Sequence, residues 1–176
     1  YDVTVPFIRM AAGPMDYTQG AMRNAAKKNY HPVNSEAMSQ GTRCHQLAEY
    51  VVFDSPLNML CDSPSNYMAE PECTEYIAGC PTVWDESVAV NGVLGRFITL
   101  ARRSGDIWYV GSLNDWKARD LTLDLGFLGD GEWTMEIFRD GINADRAARD
   151  YKREYAPVPA DRKVKIHMAP GGGWTA

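Results

Sequence analysis

The chain has 176 residues, enough to bury a core in one domain or two small ones, and its 45% hydrophobic and 23% charged residues are ordinary for a globular protein. A net charge of -5 leaves no basic excess to neutralise phosphates, which argues against a nucleic-acid binder. No run approaches the ~18 consecutive apolar residues of a membrane span. The chain starts at Tyr1 with no leader pattern, so it reads as a piece of something longer.

Val5–Met10 is an apolar run of strand length that breaks at Gly13-Pro14 and sets Asp16 and Thr18 just beyond the break. In a parallel α/β layout, residues past the carboxyl end of a strand line the functional face, which makes both candidates to touch a substrate. The alternative is a plain strand-to-loop junction in which Asp16 caps a turn. Residues 18–28 carry small side chains at spacings a helix could use, and residues 27–35 read as a surface loop. Cys44, Leu47, Ala48, Val51 and Val52 then form the stripe of a one-sided helix, with Gln40, Arg43, Gln46 and Glu49 turned the other way. Thr42 or Ser39 can cap it, and Ser55-Pro56 stops it.

Pro56–Cys61 is a second apolar run, ending at Asp62. Strand, helix, strand in this order predicts a right-handed parallel crossover, with Asp62 a third candidate at a strand end. Pro71 at a first helical turn and a Cys73, Ile77, Cys80 stripe predict a closing helix. Two such units cannot make a sheet buried on both faces, so residues 1–81 need strands from outside the chain.

From residue 82 the texture changes to short alternating runs. Val88–Val90, an Asn91-Gly92 turn and Gly95–Arg102 read as a hairpin, followed by Ser104-Gly105, Ile107–Leu113, Leu121–Leu125, Gly129–Gly131, Trp133–Phe138, Tyr151–Val158, Lys163–Met168 and Gly171–Thr175. Turn signals every roughly 8–12 residues predict a small antiparallel sandwich or barrel over 82–176. Trp108, Tyr109, Trp116, Trp133, Phe138 and Trp174 fit its core; stacking on sugar faces is the other reading, with Trp116 the most exposed candidate. Cys44, Cys61, Cys73 and Cys80 lack a zinc-type spacing and read as free thiols. Glu36, Asp85 and Glu86 are further loop acids, equally explained as caps and surface charge.

Three stretches together resemble the carboxyl-terminal end of glycoside hydrolase family 97, bacterial α-glucosidases and α-galactosidases: Pro6–Thr18, Gly41–Leu57 and Asp140–Asp145. Supporting matches are Pro81–Glu86, Ala101–Gly111 and Met168–Gly173, so the resemblance covers almost the whole chain. It implies that residues 1–81 are the last two strand-helix units of a catalytic (β/α)8 barrel, and that 82–176 are a carboxyl-terminal β-sandwich domain. It further implies an exo-acting parent hydrolase that cleaves terminal α-linked glucose or galactose from an oligosaccharide. Calcium would assist, with its ligands upstream of this chain, and the enzyme would be exported to the periplasm. No catalytic motif carries over to these residues, so no catalytic residue is assigned and the piece alone is expected to be inactive. Asp16, Thr18 and Asp62 would contribute to the sugar pocket wall. A non-catalytic β-sandwich module that binds carbohydrate or acts as a spacer is the competing reading; it leaves the strand-helix-strand half unexplained.

Overall fold

The amino-terminal run departs from expectation. In the computed structural model, which describes residues 1–176, Val5–Ile8 is a helical turn (α1) followed by a 3-10 turn at Met10–Ala12, in place of the strand expected over Val5–Met10. Pro6 stands in the first turn, where its fixed φ is already helical; in a strand it would remove a ladder bond. The first strand is β1 (Tyr17–Gln19), so Asp16 precedes a strand instead of following one. Residues 18–28 form no helix: Asn24–Ala25 (β2) pairs in parallel with Ser39–Gln40 (β3).

The long helix α2 (Arg43–Val52) begins where Thr42 Oγ1 accepts from His45 N at 3.1 Å, satisfying one of the free N–H groups of the first turn. It leads to β4 (Asn58–Leu60), which pairs in parallel with β1 from Tyr17↔Asn58 to Gln19↔Leu60. The expected parallel strand-helix-strand unit is therefore present, with its first strand later in the chain. Two helices, α3 (Pro64–Met68) and α4 (Pro71–Gly79), close this half, each with proline in its first turn.

The rest is antiparallel: β5 (Glu86–Val93), β6 (Phe97–Ser104), β7 (Ile107–Asn114), β8 (Arg119–Asp124), β9 (Thr134–Asp140), β10 (Tyr151–Pro157), β11 (Lys163–Met168) and β12 (Gly173–Thr175). Six strands make one sheet in the order β10-β9-β12-β7-β6-β5, and β8 and β11 make a separate ribbon. Asn91-Gly92 is no turn. It lies inside β5 just after a register shift, and the chain reverses at Gly95, whose φ is 73°. A Cβ on Gly92 would come within 2.9 Å of Phe7 Cζ, so the glycine makes room for α1.

Alternation along β6 sends Ala101 to one face of the sheet and Ile98 and Leu100 to the other. On the first face Ala101, Val110, Ile137 and Trp174 pack against Leu123, Val164 and Ile166 of the ribbon. On the second face Ile98 and Leu113 meet Ala48, Val52 and Phe53, while Phe138 meets Cys44 and Leu47. Glycines let α2 lie directly on the strands: a Cβ on Gly173 would sit 2.6 Å from the Cys44 carbonyl oxygen, and one on Gly111 2.9 Å from that of Ala48.

Because α2 has the sheet on one side and β1 on the other, all ten of its residues are buried. The polar face expected in solvent is inside. The β1–β4 pair, by contrast, leaves apolar side chains open: Leu57, Met59 and Leu60 are 62%, 42% and 54% exposed.

Candidate functional site

The loops that follow β1 and β4 are tied together. Asp62 accepts hydrogen bonds from Met22 N (2.8 Å), Ser63 N (2.8 Å) and Asn66 Nδ2 (2.6 Å), and Tyr67 Oη donates to Gly20 O at 2.9 Å. Asp62 thus lies past the carboxyl end of its strand, as expected, with much of its acceptor capacity taken by the two loops. Arg43 holds the same loops from below. Its guanidinium is fully buried and donates to Met22 O (2.6 Å) and Asn24 Oδ1 (2.6 Å), and it pairs with Glu70 of the α3–α4 junction at 3.1 Å. Burial pulls the Arg43 pKa down, and the Glu70 and Cys73 contacts outweigh it, leaving the group firmly charged.

Asp16 and Thr18 do not join this rim. Asp16 is exposed at the amino end of β1, so Asp16 and Asp62 stand at opposite ends of the strand pair, roughly 15 Å apart along it. They do not form the opposed carboxyl pair of a glycosidase, which stands about 5–9.5 Å apart. Thr18 is exposed within β1 and borders a cavity of about 240 Å³ shared with Asp2, Gln46 and Glu49. Glu36 pairs with Arg23, and Asp85 and Glu86 both pair with Arg103, all on the surface.

A second cluster was not foreseen. His45 is buried at the start of α2, with Nδ1 at 2.9 Å from the Gly172 carbonyl and Nε2 at 3.4 Å from Asp2 and 3.5 Å from Glu49. Burial lowers the His45 pKa, but the Asp2 contact and the Glu49 charge dominate and raise it to about 9. For Asp2, burial raises the pKa and His45 more than reverses it, while burial and the Asp2 charge push Glu49 well above the usual carboxylate range. His45 and Glu49 at i, i+4 on one helix were the only trace of this cluster in the sequence; Asp2 left none.

The thiols are all free: Cys44 and Cys73 are buried, and burial pushes the Cys80 thiol up to about 12. Of the aromatics, Phe138 and Trp174 are core, at 0% and 2% exposure. Trp108 and Trp133 are half-buried and line an apolar cavity of about 330 Å³ with Leu125, Leu128 and Met135. Trp116 is also half-buried, bordering a different cavity beside Asp2 and His45.

A parallel strand pair fastened by a shared helix to an antiparallel sheet is a build that the comparisons attach to the glycoside hydrolases. Residues 83–176 match the family model described as "Glycosyl-hydrolase 97 C-terminal, oligomerisation". The chain belongs to glycoside hydrolase family 97 and corresponds to its carboxyl-terminal portion. It is 63% identical over 99% of its length to a retaining alpha-galactosidase of Bacteroides thetaiotaomicron, of which it spans 26%. Among solved structures, a family 97 enzyme from Pseudoalteromonas sp. strain K8 in complex with panose is similar over 99% of this chain and 27% of its own, with a TM-score of 0.86 and 33% identity. A beta-arabinopyranosidase is similar over 99% of this chain and 26% of its own, with a TM-score of 0.77 and 28% identity.

Proposed function

We propose that this chain is part of a retaining, exo-acting α-galactosidase that removes terminal α-linked galactose from oligosaccharides. The observation that carries the reading is the 63% identity to a retaining alpha-galactosidase, against 33% and 28% for the panose-bound enzyme and the arabinopyranosidase. In this reading β1 and β4, with their exposed Leu57–Leu60 edge, are the last two strands of a (β/α)8 barrel, residues 1–81. Residues 82–176 are the sandwich domain, and the family description attaches oligomerisation to that part.

Retention needs two carboxyl groups about 5 Å apart across the scissile bond. Those groups lie upstream, as do the calcium ligands, and the whole enzyme works in the periplasm. Calcium prefers six to eight oxygen ligands, and the Asp2–His45–Glu49 group, with an imidazole among three side chains, does not fit it. What these residues supply is a rigid rim: Asp62 joins the loops after the last two strands, and that rim forms one wall of the sugar pocket. Thr18 stands within β1 of the same pair; Asp16, at its amino end, is left out of the wall.

The test is the complete enzyme on nitrophenyl α-galactoside and α-glucoside, with Asp62→Ala beside it. A higher kcat/KM on the galactoside, lowered by Asp62→Ala with the melting temperature held, is the expected result. Preference for the glucoside would sink the galactosidase reading. Unchanged turnover in Asp62→Ala would remove the rim from the pocket.

A further inference from the structure

We propose that Asp2, His45 and Glu49 form a binding site for one divalent cation of the zinc class. The three side chains offer an imidazole nitrogen and two carboxylate oxygens within 4.8 Å of one another. His45 Nε2 is buried without a hydrogen-bond partner and faces both carboxylates, at 3.4 Å and 3.5 Å. Those separations match the edge of a tetrahedron whose metal–ligand bonds are about 2.0–2.2 Å long.

The surrounding contacts are those of an oriented ligand set. His45 Nδ1 donates to the Gly172 carbonyl, which turns Nε2 toward the carboxylates. Tyr17 Oη donates to Asp2 Oδ1 at 3.3 Å, and Gln46 Nε2 donates to Glu49 Oε1 at 3.1 Å. Glu49 Oε2 is buried and has no partner. No lysine or arginine pairs with either acid. Binding a divalent ion requires a neutral imidazole and ionised carboxylates, and the ion's two charges would then balance the two acids. A cavity of about 190 Å³ bordered by Asp2, His45, Gln40 and Trp116 gives a water room to take the fourth position.

The site would be structural. Its ligands come from the amino-terminal segment and from α2, so the ion would clamp that segment to the helix, which His45 Nδ1 ties in turn to the Gly172 loop before β12. An imidazole ligand and a low ligand number select zinc-like ions over calcium or magnesium.

The experiment is metal analysis of the complete enzyme after exposure to Zn²⁺ with Ca²⁺ in excess to fill oxygen-only sites, repeated for His45→Gln and Glu49→Gln. Wild type should keep one zinc, and both variants should lose it with calcium content unchanged. Should the variants fail to fold, zinc K-edge absorption on wild type decides: one imidazole and otherwise oxygen neighbours at about 2.0–2.2 Å support the site, and sulfur neighbours at about 2.3 Å overturn it. A wild-type protein free of zinc whose His45 carries protons on both ring nitrogens by NMR also overturns it, since the imidazolium is then the cation between the acids.

Discussion

Arg43→Met removes a fully buried guanidinium while keeping an apolar stem of similar length in its place. The loss leaves Met22 O and Asn24 Oδ1 without donors that now stand at 2.6 Å, and it strips Glu70 of a partner at 3.1 Å. Breaking a buried pair costs about 3–5 kcal/mol; Glu70 is 30% exposed and can turn to water, which places the expected cost at the lower end, about 3 kcal/mol. For a protein of this size each kcal/mol moves the melting temperature by about 2–4 °C, so scanning calorimetry on the purified protein should show a drop of about 6–12 °C. Arg43→Lys should fall between, because an ammonium keeps the charge and loses the fork that reaches Met22, Asn24, Glu70 and Cys73 at once. A drop of less than about 3 °C in Arg43→Met would refute the reasoning, since it would mean that α2 does not hold the strand-end loops through this side chain.

Gly111→Ala should destabilise by about 1–3 kcal/mol in urea titrations, because the new methyl would press on the Ala48 carbonyl and on Val51, each at 2.9 Å. A neutral result would show that helix and sheet can part without strain. Trp133→Ala should cost less than the about 3–5 kcal/mol of a fully buried aromatic, because its ring already borders a cavity of about 330 Å³. A loss at the top of that range would place Trp133 in the core.

The antiparallel half was legible because its strands alternate and its turns carry glycine; Gly105, with φ 58°, sits in the β6–β7 turn where Ser104-Gly105 placed it. Asn91-Gly92 misled for a tertiary reason: the glycine relieves a contact with Phe7, more than eighty residues earlier, and the turn passes to Gly95. Val5–Met10 misled because an apolar run of strand length does not separate strand from helical turn, and Pro6 was the residue to weigh. On α2 the apolar stripe was read correctly, but a stripe says which face is more apolar and not whether the other face meets water. Arg43, Gln46 and Glu49 are buried because a second layer, β1 and its loops, covers them. The position of Asp62 past the end of β4 was legible from the apolar run before it. Asp2 and His45, far apart in the chain, meet only once α2 is seated on the sheet.

That seating also weighs the two functional readings. A free-standing sugar-binding or spacer module would need residues 82–176 to bury their own core. The ribbon of β8 and β11 does this for one face of the sheet through Leu123, Val164 and Ile166. The other face is covered only by the first half: Leu113 and Phe138 are fully buried there, Ile98 nearly so, and Arg102 donates to the Val52 carbonyl. Without α2 these side chains would form a contiguous apolar patch next to two glycines with nothing packed on them, the kind of surface that soluble domains cover. The sheet therefore depends on α2 and the parallel unit to cover one of its two faces. A module confined to residues 82–176 would leave that second face bare, which is the argument against one that travels alone.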